Sequence, residues 1–413
     1  MDHSIAVHIP QSQEGVARCL ATAQLGRRSR ETLLTQSIGA GAAADMGEAQ
    51  TPSFERYRKT EVFRKPTAEN LKECELCFGA FDKDRDGFLN NKEFHDLCGE
   101  LVSNSKKAYN LSIEQTDRIF KLLDTNKDEK LDLSEFKTAW FYWLRQVLDC
   151  KSALIVVDMQ NDFIEGSLAV RNCPAHEDGS AIIPTINRLL ESVPFDAVVY
   201  TADWHPADHC SFVDNVQLRE IHETSKIKAD NAQVMDTVVF ARPDKFEQKL
   251  WPAHCVQDSH GAELHPDLKV VKDHILIRKG LDPDVDSYSA FWDNMKKSST
   301  PLVSELAKRH ITDVYICGIA TDVCVEFTSM DAIEHGFRTV LIEDACCGVS
   351  EEGIKETKTK LKKAGAILVQ SAEVPDLVDC QDRPPQLAYQ AAVNVAMATK
   401  AARSMDNIHN DMT

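Results

Sequence analysis

The stretch Tyr315-Ile-Cys-Gly-Ile-Ala-Thr-Asp-Val-Cys-Val325 decides how this chain is read. An apolar run ends at Gly318, and a helical pattern of Val323, Phe327, Met330 and Ile333 starts just past it. The chain therefore turns a tight corner from strand to helix, with Cys324 at the start of the helix. A thiol there meets the positive end of the helix dipole and backbone N–H groups without helical partners. That setting favours thiolate over thiol and offers donors to an oxyanion. An isolated cysteine of this kind also reads as a packing residue. Two further charged positions at strand ends turn the balance toward chemistry.

The first is Asp158, which closes Ala153-Leu-Ile-Val-Val-Asp158. An apolar run that stops at a carboxylate reads as a strand buried on both faces, with an acid at its carboxyl end. The second is Lys279, which follows His274-Ile-Leu-Ile-Arg278. In open α/β sheets, sites form outside the carboxyl ends of the strands, so acid, amine and thiol are expected to meet at one edge. Asp158 would take the thiol proton, and Lys279 would favour the charged state of both neighbours. Taken singly, Asp158 also reads as a cap and Lys279 as a solvated charge.

Val198-Val-Tyr-Thr-Ala-Asp203-Trp-His205-Pro206 reads as a strand running into an extended loop. Residues two apart in an extended chain point the same way, so Asp203 and His205 would face one cation, and Pro206 stiffens the exit. Imidazole nitrogen with carboxylate oxygen suits Zn²⁺, with Fe²⁺ and Mn²⁺ as alternatives. An Asp-x-His pair by itself is also compatible with a solvated loop.

Together, Asp158-Met-Gln-Asn-Asp-Phe163, Asp203-Trp-His-Pro206, Trp251-Pro-Ala-His-Cys255, Lys279 and Gly318-Ile-Ala-Thr-Asp-Val-Cys324 resemble the isochorismatase-like cysteine hydrolases, in their nicotinamidase/pyrazinamidase branch. The resemblance spans about Lys151 to Val378. It implies Cys324 as nucleophile, Asp158 as general base and acid, and Lys279 as third member of a triad. It also implies a cis peptide between Ile319 and Ala320, with the backbone N–H groups of Ala320 and Cys324 forming the oxyanion hole. His254 becomes the third metal ligand beside Asp203 and His205. Ser211 falls where relatives place a weaker fourth ligand, and a hydroxyl there is expected to hold a metal-bound water. His209 and His265 read as surface or supporting histidines, and Asn215 to Asp236 as a charged insertion at the rim. Phe163 and Trp251 match positions that line a ring pocket, and they serve equally as core. The metal set argues for nicotinamide within the family, because a pyridine nitrogen is a metal ligand.

A second unit precedes this one. Asp82-Lys-Asp84-Arg-Asp86-Gly87-Phe88-Leu-Asn90-Asn-Lys-Glu93 satisfies each position of an EF-hand loop, with oxygen donors at Asp82, Asp84, Asp86 and Asn90, the Phe88 carbonyl, and a bidentate Glu93. Asp124, Asn126, Asp128, the Lys130 carbonyl, Asp132 and Glu135 form a second loop. Glu129 stands there where Gly87 allows the sharp turn of the first, so weaker Ca²⁺ binding is expected. Leu89 and Leu131 occupy the positions that join paired loops through a short β-bridge. No methionine occurs between Gly47 and Asp158, unlike the Met-rich grooves of calcium sensors. Trp140-Phe-Tyr-Trp143 cannot all face one side of a helix, so docking of the pair on its own hydrolase domain is expected.

Composition sets the bounds. The 413 residues suffice for two or three domains, and a net charge of −18 argues against a nucleic-acid partner. Thirteen cysteines, an odd count without a secretory leader, read as reduced thiols of a cytoplasmic protein with access to the nucleus. Cys74 and Cys77 read as packing residues of a helix. No apolar run approaches ~18 residues, so no membrane span is expected. The expected organisation is a disordered segment over 1–53, an all-α EF-hand pair over 54–149, a hydrolase domain over 150–380 and an Ala-rich tail over 381–413. The fold class is α/β, an isochorismatase-like three-layer domain with a mainly parallel six-stranded sheet. Its strands are expected at Ala153–Asp158, Ala197–Thr201, Ile275–Arg278, Val314–Cys317, Thr339–Glu343 and Ala366–Gln370. The activity implied is hydrolysis of nicotinamide to nicotinate and ammonia in NAD salvage. A calcium-binding adaptor built on a dead hydrolase, or a hydrolase of another small amide, are the alternatives.

Overall fold

The computed structural model describes residues 61–63, 65–102, 109 and 111–411. The segment expected to be disordered, 1–53, lies outside them. Two compact units result, one ending at Asp149 but regaining the chain from Cys380 onward, the other formed by Cys150–Asp379.

In the first unit, helices α1 (Ala68–Phe81) and α2 (Asn91–Leu101) flank the first loop. Helices α3 (Ile113–Leu123) and α4 (Leu133–Thr138) flank the second. After α4 the path widens to a π turn over Ala139–Leu144 and closes as α5 (Arg145–Leu148). The spacing of the calcium loops also builds the helices. Asn90 with Glu93, and Asp132 with Glu135, are capping boxes that satisfy the first free N–H groups of α2 and α4. Strands β1 (Phe88–Leu89) and β2 (Leu131–Asp132) pair antiparallel with Leu89 opposite Leu131, as expected for paired hands. Glu129 has φ 63° and Gly87 φ 86°, so the second loop holds a side chain in the left-handed region where the first has glycine.

Cys74 and Cys77 are buried in the core of this unit, in agreement with their reading as packing residues. Two of the four aromatics are taken up by the core of the unit itself. Trp140 packs on Phe63 with ring centroids 4.9 Å apart, and Trp143 packs on Phe94 at 5.5 Å. Phe141 is half-buried against the same core, and Tyr142 is exposed. The surface that these rings require comes from within the unit. The tail forms a helix, Pro385–Asp411, whose Leu387, Ala388, Ala391, Ala392 and Val395 are buried, the alanines within the same core. Sequence had assigned no role to this segment. Its small side chains let the helix backbone approach the indoles closely, a packing that hydropathy does not report.

The second unit is a parallel sheet of six strands. These are β3 (Ser152–Val157), β4 (Ala197–Asp203), β7 (Ile275–Lys279), β8 (Asp313–Ile319), β9 (Arg338–Cys347) and β10 (Ile367–Val369). They lie in the order β10-β9-β8-β3-β4-β7, and each expected strand is present within a few residues. Every residue of β3 is buried, which its unbroken apolar run foretold. The chain winds outward in both directions from the β3–β8 pair, so the topological switch point falls between these two strands. Asp158 follows β3 and Cys324 follows β8.

The stretch Asn215 to Asp236, expected as a charged insertion, holds two short 3-10 turns, Val213–Leu218 and Ala229–Asn231, and a hairpin follows it. Strands β5 (Thr237–Phe240) and β6 (Phe246–Lys249) form an antiparallel hairpin over a core of Cys210, Val216, Val238, Phe240 and Leu250. The hairpin leads directly into Trp251. Among the described residues, no helix is long and apolar enough to cross a membrane.

Candidate active site

Four strand ends deliver the site. Asp203 and Lys279 are direct neighbours in register at the ends of β4 and β7. Lys279 Nζ lies 2.9 Å from Asp158 Oδ2 and 3.3 Å from Cys324 Sγ, and it also donates to Asp203 Oδ1 and, at 3.1 Å, to the Ser287 carbonyl. Acid oxygens of Asp158 and Asp203 and the thiol of Cys324 all fall within 4.8 Å of one another. Thr201 Oγ1 donates to Asp158 Oδ1 at 2.5 Å and receives the Asp158 N–H at 3.1 Å. Asp158 has φ 48°, in the left-handed region that non-glycine residues seldom adopt outside functional positions. The Ile319–Ala320 peptide is cis.

Burial sets the resting proton distribution. It pushes the Asp158 carboxyl up, with Lys279 opposing. Burial alone would lower Lys279, but Asp158 and Asp203 outweigh it and hold the amine well above its ordinary value. The thiol corrects the sequence reading. Burial raises Cys324 well above the ordinary cysteine value, Lys279 opposes this, and the Asp158 and Asp203 carboxylates add to the rise. Position at the start of a helix is thus outweighed by desolvation and neighbouring negative charge. Burial and the two carboxylates favour the thiol form of Cys324, whose proton must leave as the sulfur attacks.

Beside this cluster stand Asp203, His205 and His254, all buried, with ligand atoms within 4.8 Å of one another. His205 Nε2 lies 3.5 Å and His254 Nε2 3.8 Å from Asp203 Oδ2. His205 Nδ1 is 2.9 Å from the Gly280 carbonyl, and His254 Nδ1 is 2.8 Å from that of Pro252. A ring nitrogen facing a carbonyl must donate, so both Nε2 atoms keep their lone pairs for the space beside Asp203. These residues fit a divalent cation. Gln160 holds the main chain of Asp203 by accepting its N–H and donating to its carbonyl, both at 2.8 Å. Asp162 receives the Cys255 N–H at 2.7 Å and so fixes the loop that carries His254.

Gly280 has no room for a side chain, since a Cβ there would lie 2.3 Å from the His205 ring, and its φ is 66°. Gly280→Ala should therefore lower metal content by about tenfold or more through His205 alone, as losses of supporting contacts do. His254→Ala should remove the metal outright. Elemental analysis of the purified variants checks both, and full occupancy in the His254 variant would take that residue out of the set.

Of the two readings open for His209, surface or supporting, the structure bears out the second, since it is fully buried and stacks on the His205 ring at 4.0 Å. Ser211 Oγ bonds to His209 Nδ1 at 2.8 Å, so the hydroxyl supports the His209 ring. His265 is also buried, with Nε2 3.9 Å from Glu165, and it belongs to none of the metal-capable clusters. Phe163 and Trp251 both line the cavity above Cys324, with Leu168, Val170 and Tyr288. Sequence reading missed Asp286, a buried acid of the same cavity bonded to Gln248 at 2.9 Å and lying within 4.8 Å of a His205 and a His209 nitrogen. Its loop, Gly280 to Ser287, has no periodicity that singles out one acid among several.

In the first unit, oxygens of Asp82, Asp84 and Glu93 converge within 4.8 Å, as do those of Asp124, Asp128 and Glu135. Asp86 instead meets Lys130 Nζ at 3.0 Å, and that bond holds its carboxyl below the usual range.

A model of the isochorismatase domain matches residues 152–373, and a model of the EF-hand domain pair matches residues 71–141. The nicotinamidase of Acinetobacter baylyi is 39% identical over 211 residues, covering 51% of this chain and 86% of that protein. The nicotinamidase of Saccharomyces cerevisiae is 36% identical over 221 residues, covering 51% and 94%. Among solved structures, a nicotinamidase/pyrazinamidase of Acinetobacter baumannii aligns over 54% of this chain and 98% of its own, with a TM-score of 0.47 and 39% identity. Fold and family place the chain among hydrolases that act on an amide. It belongs to the isochorismatase family, with an EF-hand pair ahead of the hydrolase domain.

Proposed function

We propose that the hydrolase domain is a nicotinamidase that converts nicotinamide and water to nicotinate and ammonia through a thioester on Cys324. The observation that carries this reading is the buried Lys279 amine held between Asp158 and Cys324, with Cys324 lining an aromatic cavity that also contains Asp203, His205 and His254. The nicotinamidase relatives support the choice of substrate. As the Cys324 sulfur forms its bond to the carboxamide carbon, Asp158 takes the thiol proton and Lys279 balances the negative charge. Backbone N–H groups of Ala320 and Cys324 receive the charge on the carbonyl oxygen. The tetrahedral adduct collapses with breakage of the C–N bond, and the nitrogen leaves as ammonia after taking the proton back from Asp158. Asp158 then takes a proton from water as the hydroxyl attacks the thioester carbon. The C–S bond breaks, nicotinate departs, and Cys324 regains a proton. A cation bound by Asp203, His205 and His254, Zn²⁺ or else Fe²⁺ or Mn²⁺, would supply a Lewis acid able to hold a pyridine nitrogen or a water. Phe163 and Trp251 would fix the plane of the ring. Nicotinate released in this way would enter NAD salvage.

Ammonia release across nicotinamide, pyrazinamide, an aliphatic amide and a carbamoyl amino acid tests the assignment. Turnover of nicotinamide well above the aliphatic and carbamoyl amides is expected. Preference for either of these would assign another amide, and no turnover of any would favour the adaptor reading, which the assembled Asp158, Lys279 and Cys324 oppose.

The EF-hand loops are proposed to bind Ca²⁺, the first more tightly, because Gly87 meets the backbone demand that Glu129 meets only with strain. Glu93→Gln should lower affinity about tenfold or more, and Glu135→Gln should change the total heat of a calcium titration less. Equal effects in calorimetry would refute the ranking of the two loops.

A further inference from the structure

The C-terminal helix is used by neither the catalytic nor the calcium assignment. Its buried residues Leu387, Ala388, Ala391, Ala392 and Val395 follow the i, i+3, i+4 spacing of one helix face. The alanines of that face belong to the core shared by both EF-hands, and the helix packs against α3, the π turn and α5. Polar ties set its entry and register. Arg383 Nε donates to the Leu101 carbonyl at 2.6 Å, Tyr109 Oη donates to Asp382 Oδ1 at 2.7 Å, and Trp143 Nε1 donates to the Ala388 carbonyl at 2.9 Å.

Two of these ties end on the helices that leave the calcium loops. Leu101 is the last residue of α2, whose first turn carries Glu93. Trp143 lies on the path that starts with α4, whose first turn carries Glu135. At 1.5 Å per residue, Glu135 and Trp143 stand about 12 Å apart on one continuous helical rod. The same two carboxylates are the bidentate donors at the end of each loop. Glu93 Oε1 accepts the Lys83 N–H and Glu135 Oε1 accepts the Thr125 N–H, each at 2.8 Å. Both carboxylates converge with the other acids of their loops, so an ion bound there would act through Glu93 and Glu135 on the rods that carry Leu101 and Trp143.

We infer that the EF-hand pair is a calcium-dependent clamp for an alanine-faced amphipathic helix, and that its ligand is this chain's own segment Asp382–Val395. This rests on the loops binding calcium. It also accounts for the lack of methionine. A groove that serves one covalently attached ligand with a small-residue face needs fitted rings, not the adaptable side chains of a sensor with many targets. Reciprocity follows, since a helix that favours the calcium-loaded lobe raises calcium affinity by the factor by which calcium tightens the helix.

Hydrogen exchange on the full-length chain tests this without any substitution. Amides of 385–395 should be protected in calcium and should exchange at least about tenfold faster after chelation. Unchanged protection would overturn the clamp. Ala391→Glu, which places a carboxylate on the buried face, should weaken calcium binding by about tenfold in a titration. Parental affinity in that variant would also overturn the coupling while leaving calcium binding intact. A parental titration without any calcium uptake would remove the calcium assignment itself, and the clamp with it.

Discussion

Replacing Cys324 with alanine is expected to lower ammonia release from nicotinamide by at least about 10³-fold, because no other group can form the thioester and the remaining site retains only binding and oxyanion donors. The change removes one buried sulfur from a site that is otherwise held by Lys279, Asp158 and Thr201. Its effect on thermal stability should therefore be small, with Tm within a few degrees of the parent. Asp158→Asn should be comparably inactive, since it cannot take the thiol proton and that proton is held firmly by burial. Stopped assays on the two variants, with melting curves alongside, provide the check. A Cys324→Ala protein that turns over nicotinamide at a rate near the parent's would end the covalent mechanism.

Lys279→Ala is expected to be damaging in a different way. Lys279 is the cation of a fully buried cluster, with its amine against Asp158 and Asp203. Removal leaves the buried Asp158 carboxylate without its cation and takes one of its positive partners from Asp203. Breaking a buried pair of this kind costs about 3–5 kcal/mol. Part of that is relieved if one carboxylate takes up a proton, which places the expected loss toward the lower end. For a unit of this size it corresponds to a fall in Tm of about 6–12 °C. Activity should also be lost, because a protonated Asp158 is no base. The contrast between the two variants is diagnostic: one loses chemistry and keeps stability, and the other loses both. A Lys279→Ala protein that melts with the parent would mean that the amine is a solvated charge and not the centre of the site.

Much of the hydrolase domain was legible because its signals are local. An unbroken apolar run that ends in Asp158 is a buried strand and a strand-end acid at once. The corner at Gly318 to Cys324 marks the end of the neighbouring strand in the same way. Parallel strands place all such ends on one edge, so recognising each run separately was enough to gather Asp158, Asp203, Lys279 and Cys324. The EF-hand loops were legible for the same reason, since twelve consecutive residues carry the whole ligand set. Resting charge was not. Whether Cys324 is a thiol depends on how completely the site is buried and on how close two carboxylates stand, and neither is written in the neighbourhood of residue 324.

What the sequence by itself determined was the set of elements and the chemistry at their ends: six strands, two calcium loops, and the acid, amine, thiol and His205 imidazole that follow particular strands, with His254 added by the family resemblance. Only the tertiary structure decided which of the remaining polar residues join them. It brought His209 onto the His205 ring, turned Ser211 toward His209, placed Asp286 in the cavity, and seated the C-terminal helix in the core of the EF-hand pair. The physical reason is common to all four. A side chain in an irregular loop, or an alanine on a helix face, carries no periodic signal, and its role is set by partners tens to hundreds of residues away. Trp143 and Ala388 are 245 positions apart in the chain and one hydrogen bond apart in the fold.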